Sequence, residues 1–597
     1  HNIGMWAAIS ELEEATLKAL DNYEASIQQG CEHRNIGMWA AYWDLENVVL
    51  KAGDDLIMPE VPVKEGYVFG GWYVSSDCTG TQTTQLADVN CTSNITLYAK
   101  WMEVKDMYQV TFINHLKQET VVNVPSGQKV SELSAGSYQG EQLIWYQGNK
   151  AFDFDTLIYE DITLYANWAI LETTILTMIT DIAFDNIELL TKVSLSGKTF
   201  NIRWSSSDPY TLSDKGVTNP DRVDTEVTLT AKFSYNSYTI EQPFTVIVPR
   251  IVFDSLSDIK PVFAYVYSSS FKGFTDTARE TLDVVNISFG RVSDDGVVDL
   301  SELKNIEDIM QIRKTGTRVV LCIGGYGSSC KQFSDAASTA QGRTKFAQSI
   351  LEAVQKYHFD GVDIDWEYPG SFPATGITPQ EDRNNYNLFM KELRAALDEL
   401  GPDYLLTAAI PGGYNPSTRY DMDVLAEVLD YLHIMSYDLH SSSYTCHHTA
   451  LYSSGNTPYG SVDSSVKSFI SAGFPASKLV VGAAFYGRKW VLSGNPSIPM
   501  GATNVVSGGG YETYTTIKKS YIGKSTVRTY WDSTAYAPYL YDSATKTFIS
   551  YDNETSLIYK CKYLKDNNLG GIMFWDYGED LTGTLVNAIG TALGKVE

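Results

Sequence analysis

The feature that most constrains the fold is a long alternation of short apolar runs with helical patterns across the last 340 or so residues. Segments between the runs, such as 342–357 and 384–400, carry apolar residues three and four apart, as amphipathic helices do. The runs themselves cover residues 262–267, 284–290, 318–323, 361–365, 405–410, 431–436, 479–485 and 571–575. Eight strand–helix units in series predict a (β/α)8 barrel over 258–597, whose chemistry lies at the carboxyl ends of its strands.

The fourth run ends in a concentration of acids, DGVDIDWE at residues 360–367. Because side chains alternate along a strand, Asp363, Asp365 and Glu367 share one face and point toward the barrel interior or mouth. Three like charges cannot all ionise cheaply in a partly dehydrated site, so we predict that the outermost carboxyl acts as an acid near neutral pH. The alternative is a structural ion-pair cluster, but this strand contains no Lys or Arg to pair the acids.

The segment DGVDIDWE resembles the DxxDxDxE signature of family 18 glycoside hydrolases, the chitinases and related endo-N-acetylglucosaminidases. Other strand ends resemble family motifs in the same order. They are Ala264-Tyr265, NISFG at 286–290, Cys322-Ile-Gly324-Gly325, Met435-Ser-Tyr437-Asp438, Tyr486-Gly-Arg488 and the closing Trp575.

The resemblance implies substrate-assisted hydrolysis without an enzyme nucleophile. Glu367 would protonate the departing glycosidic oxygen while the 2-acetamido oxygen of the substrate attacks the anomeric carbon, and Glu367 would then activate water. Asp365 would orient the acetamido group, Tyr437 would hold its carbonyl oxygen, and Asp363 would share a proton with Asp365. No metal or cofactor is implied, and the Cys446-His447-His448 run lacks the spacing of a helical zinc motif.

The resemblance also implies a set of substrate-binding residues. They are Tyr265, Phe289, Gly325, Tyr326, Trp366, Met435, Asp438, Tyr486, Arg488 and Trp575. Trp575 would form the floor beneath the −1 sugar and Tyr326 an aromatic platform at +1, although either ring could instead serve in packing.

Asp360 and Cys322 are expected to give structural support. Cys322 stands where the family motif has a serine, and a thiol is a poorer hydrogen-bond donor than a hydroxyl. We therefore expect Asp363 to depend more on Tyr265 than in serine-bearing relatives. Cys322 is also close enough in sequence to Cys330 to form a disulfide, as Cys78 is to Cys91.

Four modules are predicted before the barrel. Residues 1–50 repeat NIGMWAA around a helix-like stretch, which indicates a helical repeat fragment. Residues 54–103 and 107–169 end in ITLYAKW and ITLYANW, and these two β-rich units resemble the Listeria-Bacteroides type repeat of bacterial surface proteins. Residues 170–250 show period-two alternation, and the segments IRWSSSDP, VTLTAKF and FTVIVP resemble a bacterial immunoglobulin-like β-sandwich.

About 80 residues separate the seventh and eighth predicted strands, and their strand-like aromatic segments indicate an insertion at about 490–560. It resembles the α+β insertion that deepens the groove in one chitinase subgroup. A deep groove favours a linear polymer as the substrate.

The net charge of −27 argues against nucleic acid or anionic lipid as a partner, and no apolar run is long enough to predict a membrane span. The chain begins at His1 without a leader, so we expect its original start to be missing. We predict a secreted or cell-surface bacterial enzyme that hydrolyses β-1,4 bonds in chitin or chitooligosaccharides, with its N-terminal modules as candidates for tethering it to a surface or polymer. The alternatives are an endo-N-acetylglucosaminidase acting on N-glycan cores and a chitin-binding lectin or adhesin, although Glu367 argues against an inactive barrel.

Overall fold

The structure, a computed structural model, describes residues 47–50, 62, 64, 67–78, 83, 95–103, 107–138, 141–147, 150–168, 179, 181–195, 198–235, 238–327 and 329–596. The chain forms two compact units, of which the second comprises Tyr210–Leu212, Val217–Val223 and Arg250–Glu597. Of the helical fragment predicted over residues 1–50, residues 1–46 lie outside the described residues.

The first repeat forms a three-stranded antiparallel sheet with Ile95–Glu103, the strand that carries ITLYAKW, at its centre. Tyr67–Tyr73 pairs with one edge and Asn47–Leu50 with the other. Residues 47–50, the last four of the predicted 1–50 fragment, form a strand that pairs antiparallel with Ile95–Glu103.

The second repeat is a larger sheet in which Ile162–Trp168, the ITLYANW strand, lies parallel to Met107–Ile113. Val110, Phe112 and Leu164 alternate with more exposed neighbours and are almost completely buried. The remaining strands of this repeat are Glu119–Pro125, Gln128–Lys129, Ser137–Tyr138, Glu141–Gln147, Lys150–Ala151 and Leu157–Ile158.

The immunoglobulin-like region contains a four-stranded antiparallel sheet in which chain neighbours pair. Its strands are Lys192–Leu195, Lys198–Ser206, Thr225–Tyr235 and Tyr238–Val248. Along the third strand Val227, Leu229, Ala231 and Phe233 are buried, as the period-two pattern predicts.

The second unit contains the barrel. Its strands, first to eighth in chain order, are Val262–Tyr267, Val284–Val292, Arg318–Gly324, Gly361–Asp365, Leu405–Pro411, Tyr431–Met435, Leu479–Ala484 and Gly571–Trp575. Each strand is parallel to its neighbours, and pairing of the first strand with both the second and the eighth closes the sheet. The predicted (β/α)8 fold is therefore confirmed.

Helices follow the strands, as the apolar spacing predicts. They are Asp276–Thr281, Ile306–Met310, Ser329–Ala337, Ala340–Tyr357, Pro379–Leu400, Met422–Val428, Val462–Ser471, Tyr514–Thr516, Glu554–Asp566 and Thr584–Leu593. The longest begins at a capping box, in which Thr378 and Glu381 satisfy each other's backbone N–H groups and Pro379 occupies the first turn. No helix among the described residues is long and apolar enough to cross a membrane.

The predicted insertion is a five-stranded antiparallel sheet between the seventh and eighth barrel strands. It consists of Tyr486–Leu492, Val505–Thr513, Val527–Asp532, Ala537–Asp542 and Thr547–Tyr551. Trp490 and Phe548 lie in its core, with their ring centroids 5.6 Å apart.

Asp360 precedes the fourth barrel strand and is completely buried. Arg313, also completely buried, donates Nε to Oδ2 at 2.8 Å and Nη2 to Oδ1 at 3.0 Å. Arg222, from a segment before the barrel, adds Nη2 to Oδ1 at 3.3 Å, and the Val319 backbone N–H donates to Oδ2 at 2.9 Å. Asp360 thus anchors the end of the strand opposite to Glu367.

We expect Asp360→Ala to destabilise the barrel by about 3–5 kcal/mol, because removal of one partner leaves the buried Arg313 charge uncompensated. Urea unfolding, monitored by tryptophan fluorescence, measures the decrease in the free energy of unfolding. Lys562→Ala, which removes an exposed ion pair with Asp566, is the control and should leave the unfolding midpoint unchanged. Equal midpoints for both variants would contradict this account of Asp360.

Candidate active site

The three carboxyl groups predicted to act together do lie together. Asp363 and Asp365 are on the fourth strand and Glu367 follows its carboxyl end, with residue exposures of 0%, 4% and 9%. Trp366, which alternates with them, points the other way and stacks on Phe333 with centroids 5.2 Å apart. The strand therefore sends its acids inward and its apolar side chains outward to the helices.

Asp363 accepts hydrogen bonds from three strands. The Tyr265 hydroxyl donates to Oδ2 at 2.9 Å, the Cys322 thiol donates to Oδ2 at 3.1 Å, and the Thr407 hydroxyl donates to Oδ1 at 2.5 Å. Cys322 is a free cysteine, so the disulfide considered with Cys330 does not form. Its thiol is used instead to hold Asp363.

Asp365 and Glu367 form a hydrogen-bonded pair. Burial raises the pKa of Asp365 well above its usual range, and the charges of Glu367 and Asp363 raise it further. Burial also raises the pKa of Glu367 to about 7, against hydrogen bonds from Tyr368 and Asp365 that lower it. As the pH falls, Asp365 is therefore the first of the two groups to bind a proton, and Glu367 titrates near neutrality.

Tyr437 follows the sixth strand and lies in the field of the acids. Burial raises the pKa of its hydroxyl well above the usual range, with further contributions from the charges of Asp365 and Glu367. Its Oη is 3.9 Å from Met573 Sδ on the eighth strand. Tyr437 therefore remains a neutral hydrogen-bonding group beside the acid pair.

Asp438 connects the sixth strand to the insertion. Arg488 donates Nε and Nη2 to its two carboxylate oxygens, at 2.6 and 2.5 Å, and the Tyr486 hydroxyl donates to Oδ1 at 2.8 Å. Burial opposes ionisation of Asp438, but hydrogen bonds from His448 and Arg488 outweigh it and hold its pKa well below the usual range. Asp438 is thus a fixed negative charge, and this charge contributes to raising the pKa of Glu367.

Trp575, which the resemblance predicts as the floor beneath the −1 sugar, is the last residue of the eighth strand. Trp575 stacks on Phe289 with centroids 5.5 Å apart and an interplanar angle of 20°. Gly325, at φ +90°, leaves room for this arrangement, because a Cβ there would lie 3.0 Å from the Phe289 ring. Met435 is partly buried against the same cluster.

Tyr326 is 80% exposed, so its ring is free of the core. Three of the residues predicted to bind substrate are instead buried: Tyr265 and Trp366 at 2% exposure and Tyr486 at 1%. The Tyr265 and Tyr486 hydroxyls donate to Asp363 and Asp438, and Trp366 packs against the helices that carry Phe333 and Tyr386. The alternation that identified the acids also predicts that Trp366 faces away from them.

Sequence reasoning missed Thr407, His433 and Tyr368. Thr407 and His433 are polar side chains within otherwise apolar buried strands, which is a signal that a closer reading of LLTAAIP and YLHIM would have found. Tyr368 follows Glu367 directly and hydrogen bonds to it, and only the backbone path after the strand shows this.

No group of three or more metal-ligating side chains occurs in the part of the chain that the structure describes. His447 Nε2 lies 3.2 Å from Asp532 Oδ2, and His448 Nδ1 lies 3.7 Å from Asp438 Oδ1. These histidines therefore have carboxylate partners within the protein.

Paired carboxyl groups at the carboxyl end of a parallel barrel strand, together with the stacked rings of Trp575 and Phe289, are typical of the class of (β/α)8 glycoside hydrolases. The model of the Glycosyl hydrolases family 18 matches residues 262–580. The chain belongs to this family. The Listeria-Bacteroides repeat domain matches residues 44–100 and 108–167, and the atrophied bacterial Ig domain matches residues 183–251.

Two curated chitinases are similar to part of the chain. Chitinase A1 of Niallia circulans is 34% identical over 309 residues, which are 48% of this chain and 44% of that protein. Chitinase 1 of Aphanocladium album is 34% identical over 284 residues, 45% of this chain and 63% of that protein. The chain thus spans less than two thirds of either relative.

Among solved structures, a family 18 N-acetylglucosaminidase from Paenibacillus barengoltzii superposes with a TM-score of 0.51 at 35% identity. The match covers 56% of this chain and all of that one.

We expect Glu367→Gln to stabilise the protein relative to wild type at pH 8 and not at pH 4. The ordinary pKa of 4.5 rises to about 7 on folding, so the folded state binds more protons than the unfolded state between these values and loses stability as pH rises. Glutamine does not titrate, and the gain should reach up to about 3 kcal/mol above pH 7. Thermal unfolding across this range measures it.

Glu352→Gln, on an exposed position of helix Ala340–Tyr357, is the matched control and should follow wild type at every pH. A constant difference in unfolding temperature between Glu367→Gln and wild type from pH 4 to 8 would contradict the raised pKa.

Proposed function

We propose that this protein is a chitinase, which hydrolyses β-1,4 linkages between N-acetylglucosamine units of chitin or chitooligosaccharides. The observation that carries the proposal is the pairing of Glu367, with a pKa of about 7, to a protonated Asp365 at the carboxyl end of a barrel strand. An acid titrating near neutrality can protonate a leaving group and then act as a base. Family membership and the two chitinase relatives support the choice of substrate.

The mechanism we propose is retaining and substrate-assisted. Glu367 gives its proton to the glycosidic oxygen as the C1–O bond breaks, and the acetamido oxygen of the −1 sugar bonds to C1 to form an oxazolinium ion. Water then attacks C1 and transfers a proton to the Glu367 carboxylate, while the C1–O bond to the acetamido oxygen breaks. Each of the two displacements at C1 inverts its configuration, so the product retains the anomeric configuration of the substrate.

Asp365 is proposed to orient the acetamido group. Among the described residues its Oδ1 has no hydrogen-bond partner although it is buried, so an acetamido N–H would supply the missing contact. Tyr437 is proposed to donate to the acetamido carbonyl oxygen, since its neutral hydroxyl lies beside the acid pair. Trp575 and Phe289 would form the apolar floor beneath the −1 sugar, and the exposed Tyr326 a platform at +1.

A second candidate is an endo-N-acetylglucosaminidase that acts on the chitobiose core of N-glycans. The structural relative described as an N-acetylglucosaminidase favours keeping it, because the same acid and the same acetamido participation would serve. Its substrate is branched, whereas the insertion sheet beside the barrel mouth favours a linear chain. A chitin-binding lectin remains the third candidate, and the presence of Glu367 speaks against it.

We also propose that the protein acts outside the cell, secreted or attached to the surface, with its β-rich repeats tethering or spacing the barrel. The matches to the Listeria-Bacteroides repeat domain and to the atrophied bacterial Ig domain support this location.

We expect the protein to release mainly dimers from chitohexaose and Glu367→Gln to lower kcat by about 10²–10⁴-fold, because the variant cannot transfer a proton. Mass spectrometry of products from chitohexaose and from a high-mannose glycoprotein measures both activities. Glu352→Gln is the control for expression and folding and should retain full activity.

Glycan release with intact chitohexaose would move the substrate to N-glycans. Wild-type inactivity on both substrates together with binding to chitin would contradict hydrolysis and favour the lectin. Full activity of Glu367→Gln would remove Glu367 from the role of acid.

We expect Cys322→Ser to move the acidic limb of the kcat/KM profile to lower pH. A hydroxyl donates a stronger hydrogen bond to Asp363 Oδ2 than the thiol does at 3.1 Å, and stronger donation favours the ionised form of the acid cluster. The pH dependence of chitotriose hydrolysis measures the shift. Identical acidic limbs would show that the thiol is already an adequate donor.

A further inference from the structure

His433 lies on the sixth barrel strand, inside the barrel and completely buried. Its Nδ1 is 2.8 Å from the Tyr265 hydroxyl oxygen, which is itself 2.9 Å from Asp363 Oδ2. The other ring nitrogen, Nε2, is buried and has no hydrogen-bond partner among the described residues. Neither the predicted mechanism nor the family motifs gave this residue a role.

The ring of His433 is neutral at the pH of most assays, because burial lowers its pKa to about 4. A neutral imidazole carries one N–H, on either Nδ1 or Nε2. If the proton is on Nε2, this buried N–H has no acceptor. Tyr265 must then donate its hydroxyl proton to Nδ1, and Asp363 loses that hydrogen bond. If the proton is on Nδ1, every donor has an acceptor, and only an acceptor lone pair is unused.

An unpaired buried N–H costs more than an unused lone pair, so the Nδ1–H form satisfies the contacts better. Asn286 Nδ2 is 3.5 Å from Nδ1, too far to decide the tautomer. The resulting chain of donors runs from His433 Nδ1–H to the Tyr265 oxygen and from the Tyr265 O–H to Asp363 Oδ2.

We propose that His433 is a positioning residue for the proposed glycosidase reaction. Its Nδ1–H donates to the Tyr265 oxygen and so directs the Tyr265 O–H toward Asp363 Oδ2. This hydrogen bond stabilises the Asp363 charge that faces Asp365. The inference rests on the proposed function for its kinetic consequence and on geometry alone for the tautomer. His433 acts through Asp363, whose Oδ1 lies 3.6 Å from His433 Nδ1.

The groups that face this chain come from five strands. They are Tyr265 and Phe263 on the first strand, Asn286 on the second, Cys322 on the third, Asp363 and Asp365 on the fourth, and Thr407 on the fifth. Of these, Tyr265 and Cys322 have pKa values raised well above the usual range by burial. Tyr265 and Cys322 therefore stay neutral across an acidic pH profile.

Loss of the donor chain weakens hydrogen bonding to the ionised cluster, so the cluster should retain its protons to higher pH. We expect His433→Phe to move the acidic limb of the kcat/KM profile upward by about one pH unit, the equivalent of one net hydrogen bond. KM should stay within about twofold of wild type, because His433 is buried and has no access to substrate.

Two amide variants form a matched pair. The Asn amide nitrogen can occupy the place of Nδ1 and the Gln amide nitrogen that of Nε2, so His433→Asn should restore the wild-type limb and His433→Gln should resemble His433→Phe.

In a double-mutant cycle, His433→Phe should add no further shift to Tyr265→Phe, because both act through one hydroxyl. An unshifted limb in His433→Phe, or shifts that add, would overturn the proposal.

The tautomer can be measured without activity. In full-length protein labelled with ring-15N histidine, with His433 assigned by its loss in His433→Asn, we expect the Nδ1 shift of a protonated nitrogen and the Nε2 shift of an unprotonated one at pH 7. The reverse pattern would overturn the proposal even if the variants fail to fold. An inactive wild type with the Nδ1–H tautomer would instead contradict the proposed function and leave the donor chain established.

Discussion

Burial of three carboxyl groups on one face of the fourth strand is the constraint on which the rest of the barrel interior depends. Asp363, Asp365 and Glu367 would repel one another if all were ionised, and burial makes each charge more costly. The three groups meet this electrostatic cost in different ways. Asp363 accepts hydrogen bonds from three donors, Asp365 keeps a proton, and Glu367 titrates near pH 7. Three chemically similar groups thereby acquire three different states.

Closure of the barrel makes this division possible. The donors to Asp363 come from the first, third and fifth strands, and His433 reaches the same network from the sixth. At the other end of the fourth strand, Asp360 is held by Arg313 and Arg222. The strand that carries the acids is therefore fixed at its base by ion pairs and along its length by hydrogen bonds.

The insertion contributes to the site by charge as well as by shape. Arg488, on its first strand, holds Asp438 beside the sixth barrel strand as a fixed anion, and that anion raises the pKa of Glu367. His448 and Tyr486 complete the contacts of the Asp438 carboxylate. The insertion, which is proposed to shape the substrate groove, therefore also adjusts the pKa of the proposed acid, Glu367.

The sequence by itself determined the barrel, the insertion and the acid strand, because periodicity and spacing are local properties: period two alone places Asp363, Asp365 and Glu367 together and Trp366 apart. It also indicated that Cys322 would serve where a hydroxyl is usual. Only the tertiary structure decided that Tyr265 and Tyr486 are buried supports, that Thr407 and His433 join Asp363, and that Arg222 reaches Asp360. These contacts join residues that are 44 to 168 positions apart in the chain, and such pairs are brought together only by tertiary packing, which no local pattern encodes.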